Sequence, residues 1–254
     1  MIAGFDPSVT HFGWVVFDEA EVGKESVLEA GVFKTDPTDG LLVQRLIIQR
    51  ERVRLFLTAK NIKFVAMEAP YMGDFNTEML YSLNQYMHDV FLNLGIFVFY
   101  VQSSTWKSMM FPGMSATDVT KHHSSHLAKT ELDRHGRRFS EHVADAYHLG
   151  KIGHRFYNWY VLKTLKDSDL TPKELDLFCG KHTYVKGVKK GITDYYGTIY
   201  RENEQFYDFS KQTKTTSVIL SEITKEITNG VQKEGKDHRE PGGCQGNFDA
   251  YRIL

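Results

Sequence analysis

The chain opens on an unbroken apolar run, Met1-Ile2-Ala3-Gly4-Phe5, that ends at Asp6, and a turn later a second run follows, Gly13-Trp14-Val15-Val16-Phe17. Runs of this length without polar alternation read as strands buried on both faces. Three further strand signals stand in the first hundred residues, so strands are predicted at 1–6, 12–18, 26–34, 63–68 and 96–102. The first three are joined by short links, as in an antiparallel meander. The fourth and fifth follow helical segments, as parallel strands must. Residues 40–60 carry an apolar stripe at helical spacing (Leu42, Leu46, Val53, Leu57) with Arg45, Arg50, Arg52 and Arg54 among it. A second helix is predicted over 75–94, capped by Asp74 or Asn76 and stopped at Gly95. Ser103 to Ser115 contains Pro112 and Gly113 and reads as loop in part; 117–135 is again helical, with Thr117 or Ser115 as cap, and a last core helix runs from Glu141 to about Tyr160. The order β-β-β-α-β-α-β-α-α is an α/β fold, a mixed five-stranded sheet flanked by helices, over residues 1–160.

From about residue 168 the pattern changes. Strand-like pieces at 182–189, 194–201 and 204–210 precede a helical stretch at 214–228, which predicts a small α+β carboxy-terminal module over 170–229. The remainder, 230–254, contains Gly235, Pro241, Gly242 and Gly243 among mixed charges and reads as a disordered tail.

A length of 254 residues accommodates both a full core and a smaller module. The formal net charge of -1 gives no global nucleic-acid signature, so any basic surface must be local. No stretch approaches the roughly 20 apolar residues needed to cross a membrane, and no signal-type segment opens the chain, which predicts a soluble cytoplasmic protein. Cys179 and Cys244 are too few and too far apart for a disulfide framework. Cys179-Gly-Lys-His182 has the spacing of half a zinc site without a second pair, and His122 and His126, at i and i+4, lack a third ligand.

The chemistry lies in carboxylates where strands should be apolar. Asp6 ends the first strand, and a buried ionised side chain must be paired or coordinate a metal. Glu68 ends Phe64-Val65-Ala66-Met67 in the same manner. His142 and Asp145 share one face of the last core helix through their i, i+3 spacing. If strands one and four are neighbours and that helix packs over their ends, Asp6, Glu68 and Asp145 converge beside His142. Three converging carboxylates raise one another's pKa, and divalent metal relieves the repulsion. Mg²⁺ prefers oxygen ligands, and two ions about 3.5 to 4 Å apart can activate a water and stabilise a leaving oxygen in phosphodiester cleavage. In that reading Asp6 bridges two ions, Glu68 and Asp145 hold one each, and His142 completes a metal shell or assists proton transfer.

Asp6-Pro-Ser with Thr10-His-Phe-Gly13-Trp, then Met67-Glu68-Ala, then His142-Val-Ala-Asp145-Ala, resembles the RuvC group of Holliday junction resolvases within the RNase H-like fold. The likeness spans about residues 1–155; Ser8 stands where many relatives have glycine. The resemblance implies a homodimeric endonuclease that resolves four-way junctions by symmetric nicks, with two Mg²⁺ ions for which Mn²⁺ can substitute. It also places Tyr71 where relatives carry an aromatic wedge for the junction centre, and Lys107 and Lys121 where they carry basic residues near the DNA backbone. The helix at 75–94 (Met79, Leu80, Leu83, Tyr86, Met87, Val90, Leu94) would by the same resemblance contribute to a dimer interface. Arg137, with His135 and Arg138, forms a basic cluster before the catalytic helix and is a candidate strand contact. In the carboxy-terminal module, Lys186, Lys189, Lys190 and Arg201 interleave with Tyr184, Tyr195 and Tyr200, weakly similar to three-strand-plus-helix DNA-binding domains of some integrases and plant transcription factors. The divergent core with its extension is compatible with a bacteriophage product acting in a host bacterial cytoplasm. Two alternatives stay open: an RNase H-like nuclease acting on hybrids, flaps or other branched DNA, and a non-catalytic junction-binding protein. The second gains nothing from clustered negative charge facing phosphates.

Overall fold

The computed structural model describes residues 1–19, 23, 26–69, 77–132, 140–179, 181–183, 193–195 and 206–208. Contacts divide the chain into two units, Met1–Gln212 and Thr213–Leu254, and every described residue belongs to the first. The first unit is built on β1 (Ile2–Asp6), β2 (His11–Phe17), β3 (Val27–Lys34), β4 (Phe64–Glu68) and β5 (Phe97–Val101). β1 to β3 form the expected antiparallel meander, while β4 lies parallel to both β1 and β5. A short sixth strand, β8 (Phe206–Asp208), adds antiparallel to β5, giving the order β3-β2-β1-β4-β5-β8.

Strand alternation sends successive residues to opposite faces, and each face has its own core. On one side Ile2, Val15, Phe17, Phe64, Ala66, Phe97 and Phe99 pack with Val143, Leu149, Ile152 and Phe156 of α5 (Glu141–Tyr160). On the other, Ala3, Phe5, Phe12, Val65, Met67 and Val98 pack with α1 (Leu42–Ala59) and α2 (Thr77–Leu94). α1 buries Leu46, Gln49, Val53 and Leu57. In the polar member of that stripe the Gln49 amide nitrogen donates to the Val9 and Phe33 carbonyls at 3.0 and 3.1 Å. α2 ends at Gly95, whose φ of 62° is left-handed. Leu83, Met87 and Val90, expected in part at a dimer interface, are buried in the chain's own core.

α5 sits unusually close to the sheet. A Cβ on Gly4 would stand 2.1 Å from the Ala146 carbonyl oxygen, and one on Gly13 would stand 2.1 Å from that of His142. Only glycine on β1 and β2 lets the first turns of this helix lie directly on the backbone of the strand that carries Asp6.

Two expectations shift. The segment after β5 is helical sooner than predicted, as α3 (Ser103–Met110), and the following helix, α4 (Lys121–Leu132), starts later than Ser115 or Thr117. Residues 115–118 turn instead, with the Asp118 amide on the Ser115 carbonyl at 2.9 Å, and Thr120 supplies the first helical acceptor, to the Ser124 amide. The boundary near 160–170 is also not a clean one. α6 (Pro172–Phe178) inserts Leu177 and Phe178 into the α5-side core, where the Phe178 ring stands edge-on to Phe156 at 5.2 Å. With β8 on the main sheet, parts of the predicted 170–229 module belong structurally to the first unit. A separate two-stranded ribbon pairs β6 (Lys181–Thr183) with β7 (Thr193–Tyr195). The predicted helix at 214–228 and the tail lie outside the described residues, and no described helix is long and apolar enough to cross a membrane.

Candidate active site

Asp6 is the last residue of β1 and Glu68 the last of β4, so the parallel pairing of these two strands sets the carboxylates side by side at one end of the sheet. α5 crosses the same end through Gly13, bringing His142 and Asp145 over it. All four side chains line one open cleft of about 440 Å³, together with Ser8, Thr10, Arg45, Ser103, Lys107 and Lys121. Six residues selected from the sequence, Asp6, Glu68, His142, Asp145, Lys107 and Lys121, therefore share a single surface. Tyr71, Arg137, Lys186, Lys189, Lys190 and Arg201 lie outside the described residues.

Each acidic group is held by a donor. His142 Nδ1 hydrogen-bonds Asp6 Oδ2 at 2.9 Å. The Trp106 indole Nε1 donates to Glu68 Oε2 at 3.0 Å, and Ser124 Oγ donates to Asp145 Oδ1 at 2.5 Å. Neither Trp106 nor Ser124 was selected from the sequence. The His11 ring stacks on His142 at 5.5 Å with planes 6° apart. Lys121 Nζ is paired with Glu141 Oε1 at 2.8 Å. Ser8 fits its turn without strain: the described non-glycine residues with positive φ are Asn61 and Lys163, and Ser8 Oγ accepts the His11 amide at 3.3 Å.

The electrostatics follow from this crowding. Burial raises the Asp6 carboxyl, against the His142 hydrogen bond that lowers it. Glu68 is pushed up to about 7, first by burial and then by the charges of Asp6 and Asp145. Asp145 rises to about 6 through burial and the Asp6 charge, with Ser124 and Lys107 opposing. His142 is raised by its hydrogen bond to Asp6, which favours the imidazolium. A cluster of carboxyls each pushed upward is short of positive charge. Hard oxygen donors with such a deficit match a divalent cation such as Mg²⁺ in chemistry. Among the described residues no three His, Cys, Asp or Glu side chains are already drawn together as a metal-binding group. Asp6, Glu68 and Asp145 each bond a protein donor through one carboxylate oxygen. His122 and His126 stack on each other on α4 with ring centroids 6.2 Å apart, and Cys179 is exposed.

Among solved structures the chain is similar to Thermus thermophilus RuvC, at 21% identity and a TM-score of 0.50 over 62% of this chain and 95% of that one. T. thermophilus RuvC in complex with Holliday junction substrate gives 20% identity and a TM-score of 0.50 over 63% of this chain and 96% of that one. The Fowlpox virus resolvase, in a complex with substrate Holliday junction DNA, gives 14% identity and a TM-score of 0.40. No family model and no curated protein matches the chain. The likeness establishes the fold: residues of the first unit adopt the RNase H-like architecture of RuvC, with β8 added at the edge.

Proposed function

We propose that this chain is a metal-dependent endonuclease that hydrolyses phosphodiester bonds of branched DNA, with the four-way junction as its substrate. The observation that carries the reading is the convergence of Asp6, Glu68, Asp145 and His142, from β1, β4 and α5, in one cleft flanked by Lys107 and Lys121. The RuvC fold supports it, and one of the similar structures, T. thermophilus RuvC, is in complex with Holliday junction substrate.

Asp6, Glu68 and Asp145 are the residues that would hold Mg²⁺, with His142 as a further ligand or proton carrier. When bound, the ion supplies charge neutralisation for attacking and leaving oxygens and acidifies a water. The chain's own contribution is positioning and proton handling. The Asp6 carboxylate fixes the His142 ring through Nδ1, leaving Nε2, 3.9 Å from Glu141 Oε1, as the nitrogen that exchanges a proton with a reacting oxygen. Lys107 and Lys121 stand on the cleft wall as phosphate-neutralising cations, Lys121 after release from Glu141. Two copies acting on symmetric arms would nick opposite strands, and sedimentation of the free protein tests the homodimer.

The decisive experiment compares wild type and Asp6→Asn on a four-way junction, a flap, a linear duplex and an RNA–DNA hybrid, with and without Mg²⁺. Paired symmetric nicks on the junction alone, dependent on Mg²⁺ and reduced at least about 10³-fold in the variant, are expected. Preferential cutting of hybrid or flap would reassign the substrate. Equal activity in Asp6→Asn would remove the active-site assignment.

A further inference from the structure

Beneath the cleft, three residues with no place in the reaction above join its two flanking carboxylates. Trp106 is fully buried on α3, and its indole N–H is the donor found for Glu68 among the described residues. Its ring stacks on His148 of α5 at 5.7 Å with planes 19° apart. His148, also fully buried, reaches the Ser124 carbonyl through Nε2 at 3.1 Å, and Ser124 is 2% exposed. The Ser124 hydroxyl then donates to Asp145. A continuous path, Glu68–Trp106–His148–Ser124–Asp145, thus runs under the site through α3, α5 and α4.

Two features argue that this path does more than fill space. A core position needing only volume would hold an aliphatic side chain without a polar atom, yet here the indole N–H is spent on a carboxylate of the cleft. His148 Nδ1 is a buried ring nitrogen without a hydrogen-bond partner among the described residues. Keeping an orphaned buried polar atom is costly relative to an apolar ring. That cost is offset if the Nε2 contact and the stack hold Ser124 and Trp106 in place.

We propose that Trp106, His148 and Ser124 form a buried buttress that fixes Glu68 and Asp145 relative to each other for divalent-cation binding, making Trp106 and Ser124 positioning residues. The proposal rests on the reading of the carboxylate cluster as a cation site and adds the residues that orient it. Outer partners of this kind typically change metal affinity 10- to 100-fold. Trp106 is also an optical reporter, since its indole touches a ligand directly.

The test uses the full-length chain and Mg²⁺ alone. In a Trp14→Phe/Trp159→Phe background, Trp106 is the remaining tryptophan of the sequence. Its emission is expected to shift on Mg²⁺ titration, and Glu68→Gln is expected to abolish that shift. By calorimetry, Trp106→Phe, which keeps an aromatic ring against His148, and Ser124→Ala are each expected to weaken Mg²⁺ binding about 10-fold or more while thermal unfolding stays cooperative. Wild-type Mg²⁺ affinity in both Trp106→Phe and Ser124→Ala would overturn the buttress and leave the nuclease assignment standing. Mg²⁺ binding that follows these expectations in a protein that cuts no nucleic acid would support the buttress and sink the nuclease. Absence of any Mg²⁺ response in the wild type would overturn the buttress as a cation device.

Discussion

Replacing Glu68 by glutamine is expected to stabilise the metal-free protein at pH 8 and to leave it unchanged at pH 4. The Glu68 carboxyl titrates at about 7 against 4.5 for an unperturbed glutamate, because burial and the neighbouring Asp6 and Asp145 charges oppose ionisation. The folded state therefore holds this proton to higher pH than the unfolded chain does. Between pH 4.5 and 7 folding becomes progressively less favourable as pH rises, and above 7 the whole cost of the buried charge is present. At about 1.4 kcal/mol per pH unit, the displacement amounts to about 3 kcal/mol as a ceiling. Glutamine removes the charge and keeps a carbonyl oxygen that can accept the Trp106 indole N–H. Denaturant unfolding in EDTA at a series of pH values measures the difference: the Glu68→Gln curve should lie above wild type by up to about 3 kcal/mol at pH 8 and converge with it below pH 4.5. Saturating Mg²⁺ should reverse the order at pH 8, since binding to the folded state stabilises wild type by mass action and has lost a ligand in the variant. A variant no more stable than wild type at pH 8 in EDTA would refute the claim that Glu68 is a strained, charge-crowded carboxylate.

Two further perturbations address the frame and the flank of the site. Gly13→Ala places a Cβ 2.1 Å from the His142 carbonyl oxygen, so α5 must lift where it carries His142. Cleavage should fall about 10²-fold, and stability by about 1–3 kcal/mol; full activity in single-turnover assays would show that this contact does not set the site. Lys107→Ala and Lys121→Ala should each weaken junction binding and reduce the slope of log affinity against log salt by about 1, as loss of one phosphate contact requires. An unchanged slope in both would exclude phosphate contact by either lysine.

Much of the candidate site could be read from sequence because ionised residues are rare at the ends of strands buried on both faces. Asp6 and Glu68 betrayed themselves by their company, and the i, i+3 spacing placed His142 beside Asp145. The parallel pairing of β1 with β4, which makes the first two neighbours, was only a condition in the sequence and is a fact of the sheet. Trp106 and Ser124 left no such signal: a tryptophan on a short helix and a serine in the middle of another look like ordinary core and surface, and what distinguishes them is a contact across 38 and 21 residues of chain. α6 was absent from the predicted elements although it carries a local signal. Thr171-Pro172-Lys173-Glu174 is a capping box with proline in the first turn, and both reciprocal bonds are made, at 3.2 and 2.8 Å.

The glycines carry the strongest link between sequence and site. Gly4 and Gly13 sit within strands, where glycine weakens pairing and packs nothing. Gly13 is the register partner of Asp6, and Gly4 lies two residues before Asp6 on β1, so each faces the helix that supplies His142 and Asp145. A larger residue at either place would satisfy the strand better and hold the helix away from the strand end. The sheet thus gives up strand propensity at two positions so that a carboxylate at the end of β1 and a histidine on α5 can meet at 2.9 Å. Local preference yields there to the geometry of the cleft, as is expected where a fold is shaped by its site rather than by its core.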